Sequence, residues 1–278
     1  MACSKGTSGW SSRNLQRPHD VLDTLQYGLG ALSGALVGFS LGLVGGGGSI
    51  LAVPLMVYLV GMPSAHVAIG TSALAVAANA GTGLLSHARG HTVKWRCGGM
   101  YAVAGVLGAL VGSTVGKAVD GQKLLFLFAI VMLVVGVLML KGRGNGGILG
   151  AQCNRENAPK VLSFGLATGL FSGFFGIGGG FLIVPGLVAS TRMPMINAVG
   201  TSLVAVTAFG LTTALNYALS GFIDWPLAAV FIAGGIAGGF GGTAVAKRLS
   251  GTGMLTTVFA SLIFVVAGYM LWKSAHAL

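Results

Sequence analysis

Apolar stretches of about 20 residues, the length that spans a hydrocarbon core of about 30 Å, recur along the whole chain. Short loops carrying basic residues or Gly and Pro separate them. Full-length runs fall near residues 26–44, 65–86, 98–117, 122–141, 160–177, 196–218, 226–246 and 253–272. Of the residues, 54% are hydrophobic and only 8% charged, against roughly 25% charged in a soluble domain. The pattern predicts an all-α polytopic membrane protein with about eight full transmembrane helices.

The formal charge of +11 comes from single Lys and Arg residues scattered through loops and tails. No recognition helix gathers them, so the charge reads as topology signal and nucleic acid is not an expected partner. Residues 1–24 carry no apolar core of a secretory signal and are read as a flexible tail. Cys3, Cys97 and Cys153 show no CxxC spacing. Cys97 and Cys153 lie in basic loops assigned to the reducing cytoplasm, so neither a disulfide nor a metal site is expected.

Two apolar runs, 49–60 and 180–190, are too short to cross alone as straight helices. Each follows a glycine-rich break, GLVGGGGSILAVPL at Gly42 to Leu55 and GFFGIGGGFLIVPG at Gly173 to Gly186. The breaks are copies of one another. Gly42, Gly45, Gly47, Gly48, Val53, Pro54, Met62 and Pro63 recur as Gly173, Gly176, Gly178, Gly179, Val184, Pro185, Met193 and Pro194. After a one-residue deletion, Gly70-Thr71-Ser72 meets Gly200-Thr201-Ser202, Trp95 meets Trp225, Gly108 and Gly112 meet Gly238 and Gly242, and Lys117 meets Lys247. The chain is therefore two homologous transmembrane repeats, 25–141 and 160–278, joined by a linker, 142–159, expected to be cytoplasmic.

Loop charge bears on how the repeats are oriented. Arg89, Lys94 and Arg96 fall in one loop, whereas its counterpart in the second half holds only Asp224. Opposite signs on equivalent loops predict opposite sides of the membrane, an inverted repeat in which each short segment counts as a partial pass. Parallel halves of four spans each are the alternative, because the loop with Lys117, Asp120 and Lys123 resembles its partner with Lys247 and Arg248. Small residues at every fourth position, Gly108, Gly112 and Gly116, then Gly234, Gly238 and Gly242, read as close helix packing in lipid.

The membrane interior offers no acid. Asp20, Asp23, Asp120, Glu156 and Asp224 all map to ends, loops or tails. Cation pumps and metal transporters draw on buried carboxylates, so those classes lose support, and no metal or other cofactor is expected. What remains is glycine and neutral hydrogen-bonding chemistry. A glycine run lets a ligand approach the backbone, and free N–H groups at a helix start bind anions without a buried cation. Irregular backbone at membrane depth needs cover by protein or a wet cavity. Pro54 and Pro185 interrupt the helical ladder beside each break.

The candidate substrate-binding residues are accordingly Gly45, Gly46, Gly47, Gly48, Ser49 and Pro54, with Gly70, Thr71, Ser72 and Asn79 from the helix that follows. The second copy supplies Gly176, Gly178, Gly179, Gly180, Pro185, Gly200, Thr201, Ser202 and Asn216. Ser72, Asn79, Gly83 and Ser86 fall on one helix face, and their second-half counterparts are Ser202, Phe209, Thr213 and Asn216. The alternative for each hydroxyl is bonding back to its own helix or gluing helices together. His66 and His87 sit near span ends as interfacial hydrogen-bonders or titrating groups, and Arg192 as an entrance charge or topology signal.

The breaks followed by proline, Gly45 to Pro54 and Gly176 to Pro185, together with Met-Pro, Gly-Thr-Ser and the duplication, resemble the TauE/SafE family of sulfite exporters and related anion permeases. The resemblance covers about residues 25–272. It implies a secondary transporter of small sulfur-containing anions such as sulfite, thiosulfate or an organosulfonate, with protons as a coupling ion and the lipid bilayer as surroundings. The first break reads Gly-Gly-Gly-Gly-Ser and the second Gly-Ile-Gly-Gly-Gly, so the two cradles need not contribute equally. The rivals are a passive anion channel and an intramembrane serine hydrolase using Ser49, Ser72 or Ser202 with His66 or His87. Glycine breaks that repeat without repeated histidines favour transport over hydrolysis.

Overall fold

The computed structural model describes residues 24–141, 153, 156–176, 180–249, 261 and 264–272. The N-terminal tail up to residue 23, most of the linker and half of the last expected span lie outside the described residues. All regular structure among the described residues is helical. It comprises α1 (Thr24–Val44), α2 (Ala52–Pro54), α3 (Ala65–Arg89), α4 (Trp95–Ala118), α5 (Gly121–Lys141), α6 (Ala158–Phe175), α7 (Gly180–Thr191), α8 (Met195–Ala218) and α9 (Trp225–Leu249). A 3-10 turn, Gly45–Leu51, precedes α2 and a π turn, Leu55–Leu59, follows it. Residues 264–272 are also helical.

Seven of these helices, α1, α3, α4, α5, α6, α8 and α9, fall on expected spans. Among the described residues, five runs are long and apolar enough to cross a membrane: Thr24–Leu59, Ala65–Arg89, Trp95–Ala118, Met195–Ala218 and Trp225–Val245. Helix ends follow local chemistry. The Ser64 hydroxyl accepts the Val67 N–H to cap α3 at 3.4 Å, and His87 and Arg89 occupy its last turn, where the dipole favours cations. Proline lies in the first turn of α6, and Gly176 ends that helix in the left-handed region with φ 67°.

The helices pair across the repeats. Gly34, Gly38 and Gly42 of α1 abut Phe231, Gly235 and Gly239 of α9, so the two run parallel. In turn Gly234, Gly238 and Gly242 press on Ala31, Ala35 and Phe39. The same contact recurs between α6 and α4: Gly165, Gly169 and Gly173 meet Tyr101, Gly105 and Ala109, while Gly108, Gly112 and Gly116 meet Leu166, Leu170 and Phe174. Each repeat thus lends its first helix to the other. Lipid gives little hydrophobic drive for such pairing, so stability comes from van der Waals contact at close backbone approach. The small-residue stripes expected to pack helices do so.

At the centre α3 lies against α8, its own counterpart, with the opposite direction. Gly70 meets Tyr217 near one end of the pair and Gly83 meets Leu203 toward the other. The loops beyond these ends are exchanged as well. The Lys94 N–H donates to the Thr201 hydroxyl at 3.0 Å and the Asp224 N–H to the Thr71 hydroxyl at 3.0 Å, one contact at each end. Gly200 and Gly70 make room, since a side chain there would strike Thr92 and Phe222 respectively.

Two expectations need correction. Cys97 and Cys153 form a disulfide, where none was expected. Disulfides persist in oxidising compartments, the opposite of the environment assigned to these loops from charge; cysteines 56 residues apart carry no spacing signal that foretells a pair. The first glycine run ends α1 but does not open a regular α-helix: Gly45 turns with φ 69°, and the chain coils on as a 3-10 turn before α2. Four glycines tolerate the tighter coil because no side chains have to eclipse.

Candidate functional site

The two glycine breaks meet in the interior. A Cβ on Gly180 would collide with the Gly46 carbonyl, so the backbones touch there. Gly45 packs on Val199 and Gly176 on Ile69, equivalent positions just ahead of the two Gly-Thr-Ser triplets. Both glycines have positive φ, 69° and 67°, which L side chains rarely adopt. Gly45, Gly46, Gly47, Gly48 and Ser49 are all buried.

Serines finish this junction. The Ser202 hydroxyl accepts the Gly46 N–H at 3.3 Å and donates to the Val199 carbonyl at 2.7 Å. Ser49 donates to the Gly46 carbonyl at 2.9 Å, and Ser72 to the Ile69 carbonyl at 3.0 Å. Pro54 is buried where α2 passes into the π turn, and Pro185 lies inside α7. Neither can donate to the carbonyl one turn back. Gly178 and Gly179 lie outside the described residues.

The remaining expected residues go elsewhere. Gly70, Thr71, Gly200 and Thr201 serve the loop exchange at the two ends of the α3–α8 pair. Asn216 belongs to a polar knot in which the Lys117 ammonium donates to the Asn216 side chain at 2.8 Å, the Asn216 carbonyl at 3.1 Å and Ser220 at 2.8 Å. All three ammonium protons are thereby used, with no acid involved. Lys117 is not among the expected site residues; its recurrence as Lys247 is the signal that could have found it.

Asn79, midway along α3, faces a cavity of about 30 Å³ between α1, α3, α8 and α9. Gly38 and Gly42 of α1, Thr82, Gly83 and Ser86 of α3, and Gly235, Gly239 and Thr243 of α9 line it, with Leu41, Leu203, Ile236 and Phe240. Asn79, Gly83 and Ser86 therefore share the cavity, as their helix spacing suggests, whereas Ser72 is not among its walls. Thr82 and Thr243, absent from the sequence reading, bond to carbonyls of their own helices at 2.8 Å each. Asn79 is 4% exposed, and neither its amide nitrogen nor its oxygen has a hydrogen-bond partner. No charged side chain lines the cavity.

No serine–histidine dyad appears among the described residues. The hydroxyls of Ser49, Ser72 and Ser202 all donate to backbone carbonyls, and His87 Nδ1 lies 3.0 Å from the Thr92 hydroxyl. His66 sits beside the rings of Phe222 and Tyr217, at centroid distances of 5.7 and 6.4 Å.

Apolar helices of spanning length, glycine-mediated pairing and an uncharged polar cavity between them describe an integral membrane protein. A family model, "Sulfite exporter TauE/SafE", matches residues 30–270. The chain belongs to that family. It is 52% identical over 250 residues to a "Probable membrane transporter protein" of Xylella fastidiosa, covering 87% of this chain and 94% of that protein. It is 27% identical over 237 residues to "Probable membrane transporter protein YunE" of Bacillus subtilis, covering 78% and 87%. A "Probable membrane transporter protein MJ0441" of Methanocaldococcus jannaschii is 28% identical over 191 residues, covering 66% and 70%. No solved structure gives a significant match.

Proposed function

We propose that the protein is a secondary transporter of small sulfur-containing anions, sulfite, thiosulfate or an organosulfonate, working in the cell membrane by alternating access between two inverted repeats. The observation that carries the proposal is the meeting of both glycine breaks at Gly46 and Gly180, beside a mid-helix cavity walled by neutral groups. The cavity walls hold the Asn79 amide and hydroxyl groups, with no carboxylate to repel an anion. The antiparallel course of α3 and α8, equivalent helices side by side, supports inversion of the halves. So does the separation of the basic Arg89–Arg96 loop from the loop holding Asp224, at opposite ends of that pair.

In this reading the serines Ser72 and Ser202 tune selectivity while glycine N–H groups hold charge. Opening moves the two breaks apart and frees the donors that Ser202 and close packing now occupy. Protons supply the coupling, because no membrane-embedded acid is available for a metal cation. Uptake of labelled sulfite and thiosulfate into proteoliposomes, with and without a pH gradient, tests the reading. Accumulation that follows the gradient supports it; flux indifferent to the gradient removes the coupling, and flux that never runs uphill makes the protein a channel.

A further inference from the structure

The two repeats bring matched pairs of helices together, α3 with α9 and α8 with α4, and the side chains at matched positions in them differ. Asn79 in α3 corresponds to Phe209 in α8, and Gly235 in α9 to Gly105 in α4. Each pair meets: a Cβ on Gly235 would strike the Asn79 amide, and one on Gly105 would strike the Phe209 ring. The backbone geometry is thus repeated while the contents are not. On the first side the amide is buried, unpartnered and beside a cavity. On the second side Phe209 is fully buried and lies over Tyr101, ring centroids 6.4 Å apart and planes at 21°. The Tyr101 hydroxyl in turn lies 2.8 Å from that of Thr168.

A buried primary amide with neither donor nor acceptor paired is destabilising. Such a cost is retained where a ligand meets it. The neighbouring hydroxyls of Thr82 and Thr243 spend their protons on their own helices, which leaves the Asn79 NH₂, tucked against Gly235, and the Ser86 hydroxyl as the side-chain donors of the cavity wall. Glycines at 38, 42, 83, 235 and 239 keep the walls low around it.

Resting on the anion-transport reading, we infer that substrate is bound on one side only. Asn79 is the specificity-determining donor to a small oxyanion, and the matched position between α8 and α4 is filled by Phe209 stacked on Tyr101. The pseudo-twofold fold therefore carries one site, not two. Gly235 is a positioning residue that lets the amide lie flat against α9.

Titration calorimetry of the purified full chain with sodium sulfite, sodium thiosulfate and sodium sulfate tests this. Loss of one charge-assisted hydrogen bond weakens affinity by about tenfold or more, and that loss is expected in Asn79→Leu for whichever probe binds. Gly235→Ala should show the same loss, since its new methyl displaces only the end of a side chain and the fold is kept if Asn79→Leu fails to fold. Phe209→Leu should keep wild-type affinity and a single site per chain. Wild-type affinity in both Asn79→Leu and Gly235→Ala overturns the Asn79 site while leaving the anion reading intact. Equal weakening in Phe209→Leu, or two sites per wild-type chain, overturns its one-sidedness. A wild type that binds none of the three salts removes the anion reading, and the inference with it.

Discussion

The backbone N–H of Lys94, in the loop of one repeat, donates to the Thr201 hydroxyl of the other at 3.0 Å. The reciprocal bond from Asp224 to Thr71 has the same length. Both threonines are fully buried, and each accepts the N–H of a half-buried loop residue. Thr201→Val and Thr71→Val should each lower stability by about 1 kcal/mol, the net worth of one such hydrogen bond. Thermal unfolding in detergent reads the effect, and Thr→Ser at either site should restore most of it. An unchanged midpoint in both valine variants would remove the loop exchange as a source of stability.

Close packing across the repeats predicts steep size dependence at chosen glycines. At Gly169 a Cβ would run into the Gly105 backbone, and at Gly38 into that of Gly235. Neither backbone can swing aside as a side chain could, so Gly169→Leu and Gly38→Leu should yield aggregated protein on gel filtration. Gly28→Leu and Gly99→Leu, with nothing within 4 Å of the new Cβ, should elute as wild type.

The Cys97–Cys153 bond predicts that purified protein resists thiol alkylation at both cysteines until reduced, leaving Cys3 as the reactive thiol. Mobility shift with a polymer-linked maleimide counts them. One added polymer before reduction and three after is the expected result; three before reduction would mean the pair is open in the native protein. In intact cells, reduction by an impermeant reagent would place that loop on the oxidising side.

Ser202 accepts the Gly46 N–H and so joins the second repeat to the first break. Ser202→Ala should weaken apparent substrate affinity in flux assays with the protein still folded, and Gly47→Val should abolish flux. Affinity equal to wild type in Ser202→Ala would return this hydroxyl to packing.

Much of the fold was legible because greasy runs, glycine spacing and a duplication are properties of the chain itself. Seven helices fall where apolar runs predict them, and the Gly108 and Gly234 stripes pack as their spacing implies. The repeat also marked Gly-Thr-Ser as special, but its meaning depends on a partner that sequence does not identify. Thr71 and Thr201 reach across to the other repeat, while Ser202 bonds to a glycine of the first break. A one-dimensional offset pairs each residue with its copy, not with its neighbour in space. For the same reason Cys97 and Cys153 looked unrelated, and Lys117 looked like a topology charge rather than the ammonium clasped by Asn216. The face formed by Asn79, Gly83 and Ser86 was readable from helix periodicity, whereas its cavity needed the glycines of α1 and α9.

Alternating access to a small sulfur oxyanion, as proposed, is open to counterflow: proteoliposomes preloaded with unlabelled sulfite or thiosulfate receive a trace of the labelled ion outside. Transient accumulation of label above equilibrium, abolished by Gly47→Val, is the expected result. Label that only equilibrates, or enters control liposomes equally fast, would rule alternating access out.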